Sequence, residues 1–291
     1  MEDKRAPPEE VVRLPVASIR PFEGHPFKVL DDELMQDTVD SVLQFGILNP
    51  VIVRPDPGGG YEMVSGHRRL RACELAGVEE IPAIVRNLTD DEAVILMVDS
   101  NLQRETILPS ERALAYKMKL EALKHQGKKT FLENEKTSAQ VAQKLSIDAV
   151  ADDAGTSKDQ VRRYIRLTEL IPELQEMVDN RSLAFTPAVE LSHLKPQEQA
   201  QLLDAMEYSQ NTPSLSQAQR IRKLSQMGTC SPKAMKEIMS EEKKDELDRI
   251  TIRTEDLRKY FPKSYTPKKM LETILKLLEQ WQQKRERQAE R

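Results

Sequence analysis

The 291-residue chain contains only two cysteines, and only 4% of its residues are aromatic. Cys73 and Cys230 lie far apart and match no zinc-binding or redox spacing, so we interpret both as buried thiols. No apolar run reaches the length of about 18 residues that a membrane helix needs. The polar start of the chain, MEDKRAPPEE, lacks a signal-peptide core. These absences predict a cytoplasmic protein without a membrane partner.

An overall excess of positive charge is also absent. The formal net charge is −4, with 32% charged and 38% hydrophobic residues. An argument for nucleic-acid binding must therefore come from local clusters of basic residues. The length allows two or three domains at about 100 to 150 residues each.

The N-terminal part of the chain mixes short strands with short helices. Apolar residues at helical spacing predict a helix over Asp31–Gly46, and Thr89 with Glu92 predicts a capping box that starts another. The stretch PDPGGG predicts a turn between two strands. The predicted strands are 11–21, interrupted by prolines, 50–54, 61–65 and 80–86. We predict a flexible tail over 1–10 and an α+β domain over 11–107.

Beyond that domain the pattern becomes helical. Short helices separated by Pro, Gly, Ser and Asn fill 108–228, which we predict to be an all-α domain. Its first helix is predicted to end at Gly127, followed by a polar connector. The stretch 229–249 is highly charged and is predicted to be a linker, with an exposed helix as the alternative.

The last segment, 250–291, is predicted to be a small unit of one strand and one helix. Thr266 and Pro267 supply an N-cap and a first-turn proline. The helix then carries an apolar stripe that so small a unit cannot bury alone: Met270, Leu271, Ile274, Leu275, Leu277, Leu278 and Trp281. We predict a homodimerisation unit, with packing of the stripe against the rest of the chain as the alternative.

A helix-turn-helix pattern occupies Ile147–Leu167. This motif needs a small residue where the helices touch, a residue that tolerates left-handed geometry in the turn, and an apolar anchor on the second helix. Ala151, Gly155 and Val161 meet these needs at the required spacing. The pattern therefore predicts two helices that meet around Gly155.

The second helix of this motif is basic although the chain as a whole is acidic. A solvated helix face is the simplest interpretation of a run of charges. Here the turn chemistry and the charge agree, so we predict binding of double-stranded DNA. The predicted DNA contacts are Ser157, Lys158, Gln160, Arg162, Arg163 and Arg166.

Arginines also cluster at a helix start, in VSGHRRLRACELAG, Val64–Gly77. Arg68, Arg69 and Arg71 lie in the first turn, where positive charge opposes the helix dipole. A bound anion would remove that conflict, and Gly66 would let a phosphate chain approach the backbone. Two surface turns with ordinary arginines are the alternative. Further polar contacts could come from Asn101, Gln103 and Arg104.

Several segments together resemble the ParB partition-protein family. GHRRLRA is similar to the family's phosphate-binding motif G-E-R-R-x-R-A, and SNLQRE is similar to E-N-L-Q-R-E. FGILNPVIVRP resembles the family's first nucleotide-contact segment, and the helix-turn-helix follows at the family's distance. The resemblance spans roughly residues 11–225. It implies a ParB/sulfiredoxin-like α+β domain that binds CTP and Mg²⁺, a helical domain that recognises a parS-type site, and a C-terminal dimerisation domain.

The resemblance also implies how the protein acts. Loading at the DNA site and CTP binding close the dimer into a clamp that slides along DNA, and slow CTP hydrolysis reopens it. A ParA-like ATPase is the usual partner, and the protein would be nucleoid-associated. The nucleotide contacts implied by position are Gly46, Asn49, Gly66, His67, Arg68, Arg69, Asn101 and Arg104, with Asn101 also in the metal region.

The sequence departs from the family pattern at two positions. His67 replaces the glutamate of G-E-R-R, and Ser100 replaces the glutamate before Asn101, a carboxylate that assists the magnesium site in the family. Asp99 is adjacent and could take its place. The resemblance therefore implies CTP binding and leaves CTP hydrolysis open.

Two other classes compete with this interpretation. Sulfiredoxin has the same fold, but its phosphate loop carries a nucleophilic cysteine where His67 stands here, and Cys73 lies on the apolar face of the helix. The main alternative is a DNA-binding transcriptional or mobile-element regulator on the ParB scaffold. A nucleoid-occlusion factor would be expected to begin with an amphipathic membrane helix, and MEDKRAPPEE does not form one.

Overall fold

The structure is a computed structural model that describes residues 9–102, 107–133, 139–241, 259–262 and 265–289. It divides into two units, Met1–Ser240 and Glu241–Arg291. The first unit contains an α+β part followed by a helical part, as the sequence predicts.

A five-stranded mixed sheet forms the α+β part. Its strands are β1 (Val11–Pro15), β2 (Ile19–Arg20), β3 (Val51–Pro55), β4 (Tyr61–Ser65) and β5 (Glu80–Val85), in the order β1-β5-β3-β4-β2. The predicted hairpin is confirmed, because β3 and β4 pair antiparallel with a register shift between Ile52 and Val53. β1 also pairs antiparallel with β5, whereas β3 with β5 and β2 with β4 are parallel pairs.

Three helices accompany the sheet: α1 (Glu33–Phe45), α2 (His67–Ala76) and α3 (Asp90–Leu102). Asp32 caps α1 by accepting a hydrogen bond from the Met35 amide at 2.9 Å. Thr89 and Glu92 form the predicted capping box. Cys73 is fully buried in the core between α1, α2 and the sheet, which confirms that it packs as an apolar residue.

The helical part consists of consecutive helices joined by short turns. They are α4 (Pro109–Glu133), α5 (Ala139–Asp153), α6 (Lys158–Arg166), α7 (Pro172–Asp179), α8 (Phe185–Leu191), α9 (Pro196–Ser209), α10 (Leu215–Gln226) and α11 (Pro232–Met239). The predicted end of α4 at Gly127 is wrong, since the helix continues to Glu133. One interior glycine disfavours a helix by only about 1 kcal/mol, and the residues that follow are compatible with a helix.

The predicted charged linker over 229–249 also needs correction. Its first part forms α11, whose Met235, Ile238 and Met239 are buried in the same core as α9 and α10. The Gln217 side chain donates a hydrogen bond to the Ile238 carbonyl at 2.8 Å. High charge density concealed these buried methionines and the isoleucine, which lie on one helix face. Residues 242–249 lie outside the described part.

The second unit contains α12 (Pro267–Ala289), which begins where predicted. The Thr266 hydroxyl caps it by accepting from the Lys269 amide at 3.3 Å. The apolar stripe is largely exposed in this unit, at 52% for Leu275 and 57% for Trp281. The predicted strand around 248–253 lies outside the described residues, and homodimerisation stays a prediction. No helix within the described residues is both long and apolar enough to cross a membrane.

Candidate nucleotide and DNA sites

The turn from β4 into α2 has a backbone that only glycine can adopt. Gly66 has φ +118°, and a Cβ at this position would lie 2.6 Å from Cγ1 of Val51. α2 has no side-chain N-cap, and its first internal hydrogen bond runs from the Leu70 amide to the Gly66 carbonyl at 3.0 Å. The amides before Leu70 therefore have no acceptor within the helix. This end of α2 can receive an anion on its backbone amides.

Carboxylates at the start of α1 already compensate part of the arginine cluster. Arg71 donates to Asp31 at 2.7 Å and to Glu74 at 2.9 Å. Hydrogen bonding to Arg71 lowers the pKa of the Asp31 carboxyl. Arg68 lies 3.5 Å from Asp32 and keeps 27% of its side chain exposed. Arg68 therefore remains accessible to a ligand, whereas Arg71 has a structural role between α1 and α2.

Arg69 points into the domain rather than towards solvent. Its guanidinium donates to the carbonyl oxygens of Asn49 and Pro50, the latter at 2.9 Å. Burial lowers the pKa of Arg69. Asn49 follows Gly46, which ends α1 with φ +69°. Arg69 thus holds the backbone of the segment predicted to face the nucleoside.

His67 also faces the interior, with 6% of its surface exposed. Its Nε2 accepts a hydrogen bond from the Phe22 amide at 3.3 Å. The imidazole of His25 stacks on it, with ring centroids 3.6 Å apart. The predicted phosphate contact at this position would therefore come from the His67 backbone amide. His25 was missed by the sequence analysis, because no local pattern pairs it with His67.

Asn101 lies near the end of α3, a helix that packs against the strand leading into the Gly66 turn. It follows Val98 on α3, and Val98 shares a core cluster with Val64 near the end of β4. Asn101 is buried at 4%, and its Nδ2 donates to the Met97 carbonyl at 2.8 Å. Arg104 and Gln103 lie outside the described residues.

The described residues offer little of their own for a magnesium ion. Within this part of the chain, no group of three or more His, Cys, Asp or Glu could hold a metal. Asp99, the candidate replacement for the family's glutamate, is paired with Lys119. Ser100 donates its hydroxyl proton to the Met97 carbonyl at 2.9 Å. Mg²⁺ would fit here mainly through nucleotide phosphates and water, a common arrangement for this ion.

A cavity of about 820 Å³ lies elsewhere in this unit. Its lining includes Arg54, Asp90, Asp91, Glu121 and His125, and none of the residues predicted to bind nucleotide. Asp91 and His125 approach each other to 3.3 Å across it. The motif-bearing end of α2 is therefore distinct from this cavity.

The helix-turn-helix is formed by α5 and α6, as predicted. Gly155 adopts φ +60° in the turn, and the Thr156 amide donates to the Ala151 carbonyl at 2.9 Å. Ala151 and Val161 are buried where the helices touch. The Ser157 hydroxyl caps α6 by accepting from the Gln160 amide at 3.2 Å.

The start of α6, from its cap to its second turn, carries the accessible candidates for DNA contact. Ser157 and Lys158 are exposed, and Lys158 pairs with Asp148 on α5 at 2.7 Å. Arg162 is 58% exposed and pairs with Asp159 at 3.0 Å. Exposed pairs of this kind are weak and can exchange for phosphate.

The other basic side chains of α6 are held by neighbouring helices. Arg163 donates to the Thr186 hydroxyl at 2.8 Å and lies 5.1 Å from the Phe185 ring centre. Arg166 donates to the Ser192 carbonyl at 2.7 Å, and the Gln160 side chain accepts from Arg163 at 3.4 Å. These predicted DNA contacts therefore fix α6 against α8. Thr186, which accepts from Arg163, was not found by sequence reasoning.

Two family models match the chain. Residues 1–102 match the ParB N-terminal domain, and residues 128–227 match the ParB HTH domain. The chain is 36% identical over 212 residues to the chromosome-partitioning protein Spo0J of Thermus thermophilus, covering 73% of this chain and 70% of that protein. It is 31% identical over 233 residues to a nucleoid occlusion protein of Geobacillus thermodenitrificans, covering 80% of this chain and 75% of that protein.

Solved structures of the C-terminally truncated chromosome-partitioning protein ParB from Caulobacter crescentus are also similar. The complex with the centromeric parS site has 23% identity and a TM-score of 0.42, covering 73% of this chain and 98% of that one. The complex with CTP-gamma-S has 26% identity and a TM-score of 0.32, covering 63% and 92%. Both TM-scores are low, so the family assignment depends on the sequence comparisons.

Proposed function

The chain belongs to the ParB family of partition proteins, and on this premise we propose that it is a CTP-dependent DNA clamp. It would load at a parS-type site on double-stranded DNA and act in chromosome or plasmid segregation. One observation carries the proposal: the unit Met1–Ser240 holds both an anion-receptive loop at Gly66 and a helix-turn-helix whose second helix exposes Lys158 and Arg162 near its start.

The nucleotide part of the proposal is supported by the backbone at the start of α2. The amides before Leu70 would bind the triphosphate, and Arg68 would add a charged donor at their edge. Arg69 would position the Gly46–Asn49 segment against the nucleoside through its bonds to the Asn49 and Pro50 carbonyls. Calorimetric titration of the chain with CTP, and with ATP and GTP as controls, tests this. Failure of CTP to bind in the presence of magnesium would refute it.

The DNA part is supported by the geometry of α6. Its capped N-terminal half exposes Ser157, Lys158 and Arg162, so this end would enter the major groove. Arg163 and Arg166 would position the helix rather than contact bases. Selection of bound duplexes from a random-sequence library would identify the site. A library that yields no enriched sequence would contradict recognition of a parS-type site.

We assign Mg²⁺ and CTP a binding role and leave hydrolysis outside the proposal. Mg²⁺ would be held by the phosphates, with Asn101 at the edge of its site. Turnover would lack the carboxylate that the family places at Ser100, and the adjacent Asp99 is engaged by Lys119. Release of cytidine diphosphate in a time course measures this directly.

The remaining parts of the proposal concern assembly. The α+β domain would run over 11–107, and the helical domain would run from 108 to the end of α11. The exposed stripe on α12 would form a homodimer, and a ParA-like ATPase would be the partner on the nucleoid. Light scattering with and without residues 250–291 tests the dimer. A truncated chain that still has the mass of a dimer would exclude this interface. Stimulation of a purified ParA-like ATPase tests the partner.

A second function within the same family is favoured by a specific comparison. The relative from Geobacillus thermodenitrificans is a nucleoid occlusion protein and covers 80% of this chain. Such a role would use the same DNA clamp at different sites and without segregation, as would a transcriptional or mobile-element regulator. Mapping of bound sites on the host DNA separates the functions: a few clustered sites favour segregation, and dispersed sites favour the others.

A further inference from the structure

One ammonium group is buried between the two parts of the first unit. Lys119 on α4 has a side chain that is only 1% exposed, and it pairs with both Asp99 and Asp153. The Nζ to Asp153 distance is 2.7 Å. A buried lysine is uncommon unless it is paired, and here two carboxylates compensate its charge and accept two of its three N–H donors.

The two carboxylates come from elements with different predicted functions. Asp99 lies near the end of α3, two positions before Asn101 at the candidate nucleotide site. Asp153 is the last residue of α5 and precedes the Gly155 turn into α6. Lys119 therefore connects the end of the nucleotide domain to the helix that presents the DNA-reading turn.

The ammonium and its partners differ in accessibility. Asp99 keeps 43% and Asp153 keeps 55% of its side chain exposed, whereas Lys119 is hidden. A charged ligand that binds beside either carboxylate can therefore displace it. If Asp99 moves away, the buried ammonium of Lys119 keeps Asp153 as its remaining carboxylate partner, which is unfavourable. A shift of Asp99 therefore changes the interaction between Lys119 and Asp153.

Apolar packing alone already holds these helices together. Tyr116, Leu120, Val150 and Val161 form a shared buried cluster of α4, α5 and α6, with Leu102 of α3 against it. That cluster gives adhesion without directing individual side chains. The ion pairs of Lys119 fix the orientation of individual side chains on α3, α4 and α5. The pair of Lys158 with Asp148 continues this set of ion pairs from α5 to the first residue of α6.

We propose that Lys119 is a positioning residue that couples occupancy of the nucleotide site to the presentation of α6 to DNA. This inference rests on the proposed function, because it needs both ligands. Coupling between two sites is reciprocal, so each ligand must change the affinity for the other by the same factor. The size of this change in affinity depends on Lys119.

Calorimetry with the full chain measures this factor. CTP is titrated with and without the duplex that the wild type selects from a random-sequence library, and the affinity ratio is taken. We expect a wild-type ratio that differs from one by about 5-fold or more. In Lys119→Met it should fall to within about twofold of one while both ligands still bind separately, because the coupling free energy is lost. Lys117→Met is the matched control, since Lys117 lies on the same helix and pairs only loosely with Glu169 at 3.8 Å.

Three outcomes decide the matter. A wild-type ratio retained in Lys119→Met overturns the inference, and so does a wild-type chain that binds both ligands without coupling. A wild type that binds neither CTP nor DNA refutes the proposed function itself, and the inference falls with it. If Lys119→Met does not fold, hydrogen exchange of the wild type replaces it: CTP alone should change protection of the α5–α6 turn, and unchanged protection overturns the inference.

Discussion

The start of α2 and the helix α6 are both rich in arginine, and in both the inward-facing arginines follow the accessible side chains. In α2 the second arginine of the motif, Arg69, turns inward to carbonyl groups, and Arg68 before it stays accessible. In α6 the late arginines, Arg163 and Arg166, turn inward to α8, and the early residues stay accessible. In both candidate sites the groups proposed to face the ligand lie near the helix start, where backbone amides add to the side chains. A count of arginines therefore overestimates the number that reach a ligand.

The largest expected effect comes from the backbone of the phosphate loop. Gly66 and Gly77 flank α2, and both have positive φ, at +118° and +66°. Of these two glycines, only Gly66 has a neighbour that an added Cβ would overlap, namely Cγ1 of Val51 at 2.6 Å. Displacement of the loop by about 1 Å should weaken CTP binding about 100-fold in Gly66→Ala.

Gly77→Ala is the matched control for this change. Left-handed strain should lower the free energy of unfolding by about 1 kcal/mol in both variants, and the overlap with Val51 should lower it further in Gly66→Ala, as measured by thermal unfolding. Only Gly66→Ala should lose CTP affinity in calorimetry. Equal CTP affinities for the two variants would show that the loop does not hold the nucleotide.

The next effect distinguishes inward from outward arginines in α2. Arg69→Ala removes two hydrogen bonds from a half-buried guanidinium to the 49–50 backbone, so CTP affinity should fall about 10- to 100-fold. Arg71→Ala removes only exposed ion pairs, and its effect should stay below about fivefold. Calorimetric titration of both variants with CTP shows which substitution lowers the affinity more. The positioning role assigned to Arg69 is wrong if Arg71→Ala weakens CTP more.

The parts of the fold that depend on local chemistry could be predicted from the sequence. Asp32 and Gly46 bound α1, PDPGGG turns the hairpin, and Gly155 sits in the turn of the helix-turn-helix. Each of these depends on residues close together in the chain. The order of strands in the sheet depends on pairing between distant segments and has no local pattern. The burial of α11 was not predicted, because its buried Met235, Ile238 and Met239 are interspersed with an equal number of charged residues.

The same distinction applies to the sites. The φ of Gly66 and the cap at Ser157 follow from residue type and position. The partners of Arg69 and Arg163 could not be predicted, because Asn49 and Thr186 are distant in sequence. No local sequence pattern predicts the ion pairs of Lys119, since its two carboxylate partners lie on α3 and α5. Motifs therefore predict where both candidate sites lie, and long-range packing decides which of their side chains stay accessible.

A smaller effect tests the comparison within α6. Arg162→Ala removes an exposed charge, so the slope of log affinity against log salt should fall by about 0.9 for one lost phosphate contact. Arg163→Ala should change this slope less and should lower the free energy of unfolding by about 1 kcal/mol, because its hydrogen bond to Thr186 is lost. Fluorescence anisotropy across a salt titration measures the slope. A larger slope change for Arg163→Ala would place that arginine on the phosphates instead.

The smallest effect concerns the cap that starts the DNA-reading turn. Ser157 and Ser231 both cap helices with their hydroxyls, accepting from the amides of Gln160 and Ala234. Replacement of either serine by alanine should reduce the free energy of unfolding by about 1 kcal/mol in chemical denaturation. Only Ser157→Ala should also weaken DNA binding, by about fivefold or less, because fraying of this turn disorders Lys158. If Ser231→Ala weakens DNA binding equally, the loss reflects global stability, and the first turn of α6 has no special part in contacting DNA.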